Sequence, residues 1–222
     1  MSGDTIESLR KAIVECNLKS AVSSTKRALE EGLKVNDIIQ KGLVSGISTV
    51  GELFSKGDYY LPELLLAGKV MSSALEILAP ILASSSDTSF HTGKYLIATI
   101  QGDVHDIGKN IVSTMLKGNG WEITDLGVDV PPEKINSEIA KGGYDILGLS
   151  ALLTMTMPAA AATIKAIEQA GLRGTIKIMI GGAPITQEFA DKIGADAYAE
   201  DAWAAVVKAG EIMRAQSAER RS

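Results

Sequence analysis

The chain has a single cysteine, Cys16, among its 222 residues. An internal disulfide and a metal cage built from several cysteine thiolates are therefore excluded. The start of the sequence lacks the basic segment and apolar run of a secretory signal. Low cysteine usage agrees with a reducing compartment, so we expect a cytoplasmic protein.

The sequence also lacks long apolar runs and an excess of positive charge. No stretch reaches the about 18 consecutive apolar residues that suggest a membrane-spanning helix. The formal net charge is -5, which does not favour nucleic acid or an anionic membrane as a partner. No P-loop, no G-x-S-x-G nucleophile motif and no zinc-type Cys/His cluster is present.

Four helical patterns occupy the first part of the chain. Apolar residues recur at helical spacing in the stretches Ile6–Cys16, Ala21–Leu29, Ile39–Phe54 and Leu61–Ile81. Gly32 suits the end of the second helix, and Asn36 could cap the third. Pro62 is compatible with the first turn of the fourth helix. The short connections predict an antiparallel four-helix bundle over residues 1–84.

Residues 85–93 are rich in serine and threonine and lack periodicity, which predicts a linker. His91 has no carboxylate at an orienting spacing, so we expect a solvated loop residue. Over residues 94–222, strands alternate with helices in five βα units. This pattern predicts an α/β domain with a parallel, doubly wound sheet. The flavodoxin-like strand order 2-1-3-4-5 would open a crevice between strands one and three.

The loop after the first predicted strand carries a histidine between two carboxylates. The segment Ile97–Val112 reads I-A-T-I-Q-G-D-V-H-D-I-G-K-N-I-V, which is a strand, a short loop and a helix. His105 therefore lies at the carboxyl end of a strand, where open α/β sheets bind ligands. Asp103 could accept the ring N–H that faces away from a metal. A capping aspartate beside an ordinary loop histidine is the structural alternative.

The segment Gly102–Val112 closely resembles the cobalamin-binding signature of cobalamin-dependent methionine synthase. It is also similar to that of the small corrinoid proteins of methyltransferase systems. This resemblance implies that cobalamin is the cofactor and that His105 is the lower axial ligand of cobalt. In that role the imidazole replaces the cofactor's own benzimidazole. The resemblance also places at the cofactor the loop residues Asp103, Asp106, Ile107 and Gly108.

Hydroxyl side chains follow the third predicted strand at Ser150, Thr154 and Thr156. Any of them could serve the next helix as a cap. The resemblance implies that the Ser150-x-Leu152 element lines the nucleotide tail of the cofactor. It further implies that Thr156 completes a relay from histidine through aspartate to a hydroxyl beneath cobalt.

Two further segments match the family. The glycine pair Gly181-Gly182 leaves room for a bulky group against the backbone, and in the family such a pair flanks the buried benzimidazole. The resemblance implies that Tyr198 and Ala199 close this pocket.

The segment Tyr60-Leu-Pro resembles the F-L-P-type segment with which a helical cap covers the upper face of the corrin. The resemblance makes Tyr60 and Leu64 candidates for contact with that face. Their structural alternative is an ordinary place in the helical core.

The function implied by the resemblance is that of a corrinoid methyl carrier, a subunit of a methyltransferase system rather than a stand-alone enzyme. A substrate-specific methyltransferase would supply the methyl group from a methylamine, glycine betaine, methanol or a methoxylated aromatic compound. A second methyltransferase would load tetrahydrofolate or coenzyme M, and a corrinoid reductive activase is a further expected partner. Three alternatives stay open: a cobalamin sensor or storage module, the cobalamin subunit of a mutase, and a flavodoxin-like scaffold without a cofactor.

Overall fold

A computed structural model describes residues 2–84 and 92–219 of the chain. The chain divides into two compact units. The helical unit comprises residues 1–91 with 118–120, and the sheet unit comprises residues 92–117 with 121–222. Most of the predicted linker, including His91, lies outside the described residues.

The helical unit contains four helical stretches, which agrees with the predicted bundle. Their bounds are α1 Ser2–Val14, α2 Leu18–Glu30, α3 Val35–Asp37 continued by a π-helical segment Ile38–Val44 and by α4 Ser45–Lys56, and α5 Leu61–Ser84. The core includes the fully buried side chains of Leu9, Ile13, Leu43, Ile47 and Val50. No helix in the described part of the chain combines the length and apolar character needed to cross a bilayer.

Two expectations for this unit were wrong at helix ends. Cys16 lies beyond the end of α1 with a φ of 54°, because the chain turns there towards the next helix. Asn17 then caps α2, its side chain accepting a hydrogen bond from the Ser20 amide. Asn36 lies within α3 instead of capping it, because the helix already begins at Val35. The N-cap residue is Lys34, which makes no side-chain cap hydrogen bond.

The sheet unit has five parallel strands in the order β2-β1-β3-β4-β5, as the flavodoxin-like pattern predicts. Its elements are β1 Gly93–Thr99, α6 Ile107–Gly118, β2 Trp121–Asp125, α7 Pro132–Ala140, β3 Ile146–Ser150, α8 Met157–Gln169, β4 Lys177–Gly181, α9 Gln187–Lys192, β5 Ala197–Ala199 and α10 Ala202–Glu219. The six-residue helix α9 was not predicted, because it is too short to show helical periodicity.

Alternation along the strands divides their side chains between two faces of the sheet. Leu96 and Leu147 pack with residues of α7 and α8 in one hydrophobic cluster. Tyr95, which directly precedes Leu96, points to the opposite face, and its hydroxyl lies 3.7 Å from the sulfur of Met179. Both faces are therefore buried, as in other parallel sheets covered by crossover helices.

Candidate functional site

The carboxyl ends of four neighbouring strands lie level with one another. Thr99 pairs with Ser150, Ser150 with Gly181, and Gly181 with Ala199. Three of these residues, Ser150, Gly181 and Ala199, come from separate segments that the sequence assigned to one site. The loop that carries His105 leaves the sheet from this same edge, directly after β1.

The buried carboxylate of Asp103 is the centre of the site. Its Oδ1 accepts hydrogen bonds from the backbone amide of His105 at 3.1 Å and lies 2.8 Å from Nδ1 of the same ring. Its Oδ2 accepts from the backbone amides of Leu152 at 2.8 Å and Leu153 at 3.2 Å. The Thr156 hydroxyl donates to the same oxygen at 2.9 Å. This carboxylate therefore joins the loop after β1 to the loop after β3.

These donors keep Asp103 ionised despite its burial. Burial alone would raise the pKa of the carboxyl, but the amides of Leu152 and His105, the imidazole and the Thr156 hydroxyl together hold that pKa well below its usual range. An ionised carboxylate only accepts hydrogen bonds, so Nδ1 of His105 must carry the ring proton. The lone pair of Nε2 is then available to a metal. The His105 side chain is 45% exposed, which leaves it accessible to a ligand.

The Thr156 hydroxyl has two acceptors within reach but only one proton. It lies 2.9 Å from Oδ2 of Asp103 and 2.8 Å from the carbonyl oxygen of Leu153. That carbonyl already accepts the Thr156 backbone amide at 3.0 Å. A hydrogen bond to an ionised acceptor is also the stronger one, so we assign the proton to the Asp103 contact.

An exposed apolar surface lies on the two loops around this carboxylate. Its large members are Val104, Ile107, Leu152, Leu153 and Met155. Ile107 is 70% exposed and Met155 is 88% exposed. Exposed apolar side chains gathered around a functional group indicate a surface that a ligand covers. A Cβ added at Gly108 would meet no atom within 4 Å, so the space beside the backbone there is open.

The remaining loop residues differ in their surroundings. Asp106 directly precedes α6, and its carbonyl oxygen accepts the Asn110 amide at 2.8 Å while its side chain is exposed. Thr154 is exposed, and Ser150 is half-buried. Of the three hydroxyl side chains after β3, the structure brings that of Thr156 into contact with Asp103.

The glycine pair after β4 makes room for this chain's own backbone. A Cβ at Gly182, whose φ is 129°, would lie 1.7 Å from the carbonyl oxygen of Ala151. A Cβ at Gly181 would lie 2.8 Å from the carbonyl oxygen of Ala199. The missing side chains therefore make room for backbone atoms of this chain, and a ligand against Gly181-Gly182 stays a prediction. Tyr198 is half-buried and packs against the hydrophobic cluster of the sheet.

The two candidate residues of the helical unit have opposite surroundings. Tyr60 is 68% exposed, whereas Leu64 is only 1% exposed. The buried side chain of Leu64 presents no surface to a cofactor in this conformation. Leu61 and Leu65, one helical turn apart at the start of α5, are exposed and were missed because the sequence alone did not fix the orientation of the helix.

Two charged residues near the His105 loop were also missed. The buried Lys109 side chain forms an ion pair with Asp125 at the end of β2. Asp129 has a φ of 51°, and its carboxylate accepts the Gly102 amide at 2.7 Å. For Asp129, the signal in the sequence was the turn-forming composition of the segment Asp125–Asp129, D-L-G-V-D. That composition does not reveal which residue the Asp129 carboxylate contacts.

One imidazole is a sufficient protein ligand for a metal held by a macrocycle, because the macrocycle supplies the equatorial donors. Within residues 2–84 and 92–219, no group of three or more histidine, cysteine or carboxylate side chains could hold a bare metal ion. The oriented imidazole, the open backbone at Gly108 and the apolar surface around them fit a corrinoid.

Comparison with known proteins gives two family matches. Residues 93–207 match a B12 binding domain, and residues 5–79 match a second B12 binding domain. The first match covers most of the sheet unit and includes residues 118–120 of the helical unit, and the second lies within the helical unit.

Relatives match along nearly the whole chain. Dimethylamine corrinoid protein 1 of Methanosarcina acetivorans is 41% identical over 210 residues, covering 95% of this chain and 98% of the relative. Monomethylamine corrinoid protein 2 of the same organism is 41% identical over 213 residues, covering 95% and 98%. The crystal structure of the methanol:cobalamin methyltransferase complex from Methanosarcina barkeri includes a chain with a TM-score of 0.81 and 29% identity, covering 95% of this chain and 80% of that chain. The chain therefore belongs to the family of cobalamin-binding corrinoid proteins of methyltransferase systems, and cobalamin is its cofactor.

Proposed function

We propose that this chain is the methyl-carrying subunit of a methyltransferase system, with His105 as the lower axial ligand of the corrinoid. When bound, the corrinoid supplies a cobalt centre that accepts a methyl group from one methyltransferase and gives it up to another. The observation that carries the proposal is the imidazole of His105, whose Nδ1 lies 2.8 Å from the buried Asp103 carboxylate.

Each neighbouring group has a part in holding that imidazole. Asp103 keeps the ring proton on Nδ1, so that Nε2 faces the ligand as a neutral donor. Thr156 donates to the other carboxylate oxygen and thereby limits rotation of the Asp103 side chain. The exposed apolar side chains of Ile107 and Met155 would lie against the macrocycle and exclude water from that side of the site.

The nucleotide tail of the cofactor is assigned to the part of the same sheet edge that is formed by β3, β4 and β5. We propose that it lies along Ser150, Gly181 and Ala199, which are paired neighbours at the strand ends. From the helical unit, we propose that Tyr60 contacts the corrinoid, with the exposed Leu61 and Leu65 in the place first given to Leu64.

The names of the relatives favour a methylated amine as the methyl donor. Two relatives at 41% identity are a dimethylamine and a monomethylamine corrinoid protein. We propose a methylamine-specific methyltransferase as the first partner and a methyltransferase that loads coenzyme M or tetrahydrofolate as the second. A reductive activase and a cytoplasmic location complete the proposal.

The ligand role of His105 is tested by reconstitution with hydroxocobalamin. The protein is prepared with isotope-labelled histidine, whose ring nitrogens give a splitting distinct from that of the cofactor's benzimidazole. After reduction to the cobalt(II) form, the electron paramagnetic resonance spectrum of the wild-type protein should show the splitting of the labelled imidazole nitrogen. His105→Ala should lose this splitting, and Lys192→Ala, a change on the exposed side of α9, should retain it. A nitrogen-split spectrum that is unchanged in His105→Ala would contradict the assignment.

The methyl donor is tested with the reconstituted, reduced protein and purified methyltransferases. We expect methylation with a methylamine and its methyltransferase, followed by the characteristic change in absorption. Methylation by the methanol, glycine betaine or methoxyaromatic system, with none by the amine system, would overturn the amine assignment. The absence of methylation by every pair would overturn the carrier function.

A further inference from the structure

The loop between β2 and α7 runs beside the loop that carries His105. Residues 126–131 continue the contacts of the sheet beyond the strand ends. The Thr99 amide donates to the carbonyl oxygen of Gly127 at 3.0 Å, and the Val130 amide donates to that of Thr99 at 3.1 Å. An isolated parallel bridge joins Ile100 to Val130. The loop between β2 and α7 is therefore fixed against the start of the His105 loop.

Asp129 contacts the His105 loop with both its side chain and its backbone. Its Oδ1 accepts the Gly102 amide at 2.7 Å. Its own amide donates to the carbonyl oxygen of Asp103 at 2.9 Å. The two contacts hold the two ends of one short segment, the residue pair Gly102-Asp103.

The backbone of Asp129 is in the left-handed region, with a φ of 51°. Residues other than glycine rarely adopt this backbone conformation, although aspartate and asparagine tolerate it better than most. The conformation directs the amide and the carboxylate of one residue towards the same neighbouring segment. Its unfavourable backbone geometry is thus offset by two hydrogen bonds to the loop that carries His105.

We propose that Asp129 is a positioning residue that fixes the backbone of Asp103 and, through it, the Asp103 carboxylate beside His105. The two ends of Asp103 are held independently. Its side chain is held by Leu152 and Thr156 of the loop after β3, and its backbone is held by Asp129 of the loop after β2. Asp129 itself makes no recorded hydrogen bond to His105 within the described residues.

The geometry of the carboxylate and the imidazole makes such positioning effective. Their 2.8 Å contact weakens steeply if either group moves by about 1 Å, since hydrogen bonds become poor beyond about 3.5 Å. Without the Asp129 carboxylate, the Gly102 amide would lose its hydrogen bond, and the Gly102-Asp103 segment would lose that restraint. The carboxylate would then sample positions in which it no longer orients the ring. This consequence for cobalt ligation rests on the proposed function, whereas the restraint on Gly102 does not.

Three substitutions at Asp129 distinguish the effect of its acceptor oxygen from the effect of its left-handed backbone conformation. Asp129→Asn keeps an acceptor oxygen and tolerates the left-handed region. Asp129→Gly favours that region but removes the acceptor, and Asp129→Ala opposes the conformation and removes the acceptor. Asp58→Ala, which changes an exposed carboxylate of the helical unit, is the control for loss of a surface charge.

The first measurement is amide hydrogen exchange at Gly102 in the full-length protein without cofactor, followed by nuclear magnetic resonance. Loss of one hydrogen bond should speed this exchange about tenfold in Asp129→Gly and Asp129→Ala. Asp129→Asn and Asp58→Ala should remain within about threefold of wild type. Wild-type exchange at Gly102 in the folded glycine and alanine variants would overturn the proposal, as would equal acceleration in the asparagine variant.

The second measurement is the splitting by the labelled histidine nitrogen in the reconstituted cobalt(II) protein. The fraction of molecules with a nitrogen ligand should fall in Asp129→Gly and Asp129→Ala and stay near wild type in Asp129→Asn. Faster Gly102 exchange with an unchanged nitrogen-ligated fraction would overturn the positioning role while leaving the ligand assignment intact. If the wild-type protein shows no nitrogen splitting, the proposed function fails, and the Gly102 exchange still decides whether Asp129 restrains the loop.

Discussion

A single buried carboxylate orients the imidazole beside it, because Nδ1 of His105 lies against Oδ1 of Asp103. Asp103 has no exposed side-chain surface, yet it stays ionised because five hydrogen-bond donors surround its two oxygens. Three of those donors are backbone amides, which cannot be removed by substitution of their side chains. Apart from the imidazole, the Thr156 hydroxyl is therefore the one donor among the five that a side-chain substitution can remove.

Thr156→Val should weaken this arrangement without changing the volume of the side chain much. Removal of a hydrogen bond to a buried charge costs about 1.5–3 kcal/mol, so we expect a loss of that size in the free energy of unfolding of the cofactor-free protein. Urea titration followed by circular dichroism measures it. Thr156→Ser keeps the hydroxyl and should lose less than about 1 kcal/mol. A loss in Thr156→Ser as large as that in Thr156→Val would contradict this, because the hydroxyl would then contribute no more than the methyl group.

At the scale of elements, close packing between segments explains why glycine stands at positions where the local sequence gives no reason for it. A Cβ at Gly42, in the π-helical segment, would lie 2.8 Å from Leu9 Cδ2, and a Cβ at Gly46 would lie 3.0 Å from the carbonyl oxygen of Arg10. Two glycines one turn apart thus let this stretch pack closely against α1. The same principle applies at the end of β4, where Gly182 lies against the carbonyl oxygen of Ala151.

Gly182→Ala should be severely destabilising. Its Cβ would overlap the Ala151 carbonyl oxygen at 1.7 Å, and its φ of 129° is unfavourable for any side chain. We expect a loss of more than about 3 kcal/mol in the free energy of unfolding, measured by urea titration. Gly174→Ala is the matched control, since a Cβ there meets nothing within 4 Å and should change stability by no more than about 1 kcal/mol. A Gly182→Ala protein as stable as this control would refute the packing explanation.

At the scale of the whole molecule, cofactor binding should be coupled to stability. A ligand that binds the folded chain alone adds about 2.7 kcal/mol when its free concentration is 100 times its dissociation constant. Cobalamin at that concentration should therefore raise the thermal unfolding midpoint in scanning calorimetry by several degrees. At the same concentration, His105→Ala should show a smaller increase. An unchanged midpoint for the wild-type protein would contradict cofactor binding by the folded chain.

Much of the architecture follows from local pattern in the sequence. The strands follow from short apolar runs that end at polar or turn-forming residues, as β3 does at Ser150. The strand order follows from five βα units in succession, since right-handed crossovers leave few arrangements open. The Asp103–His105 contact was also predictable, because two residues of spacing within a tight loop bring the side chains together.

Tertiary structure decided what depends on segments distant in sequence. Asp129 lies 27 residues from Gly102, and only the pairing of β2 with β1 brings its carboxylate to that amide. The burial of Leu64 and the exposure of Leu65 depend on how α5 packs. Position 182 requires glycine because the carbonyl oxygen of Ala151, directly after β3, lies against it. Local spacing in the sequence determined which imidazole and carboxylate meet. The folded chain decided which backbone groups hold them in place, because those contacts exist only once the sheet has brought separate loops to one edge.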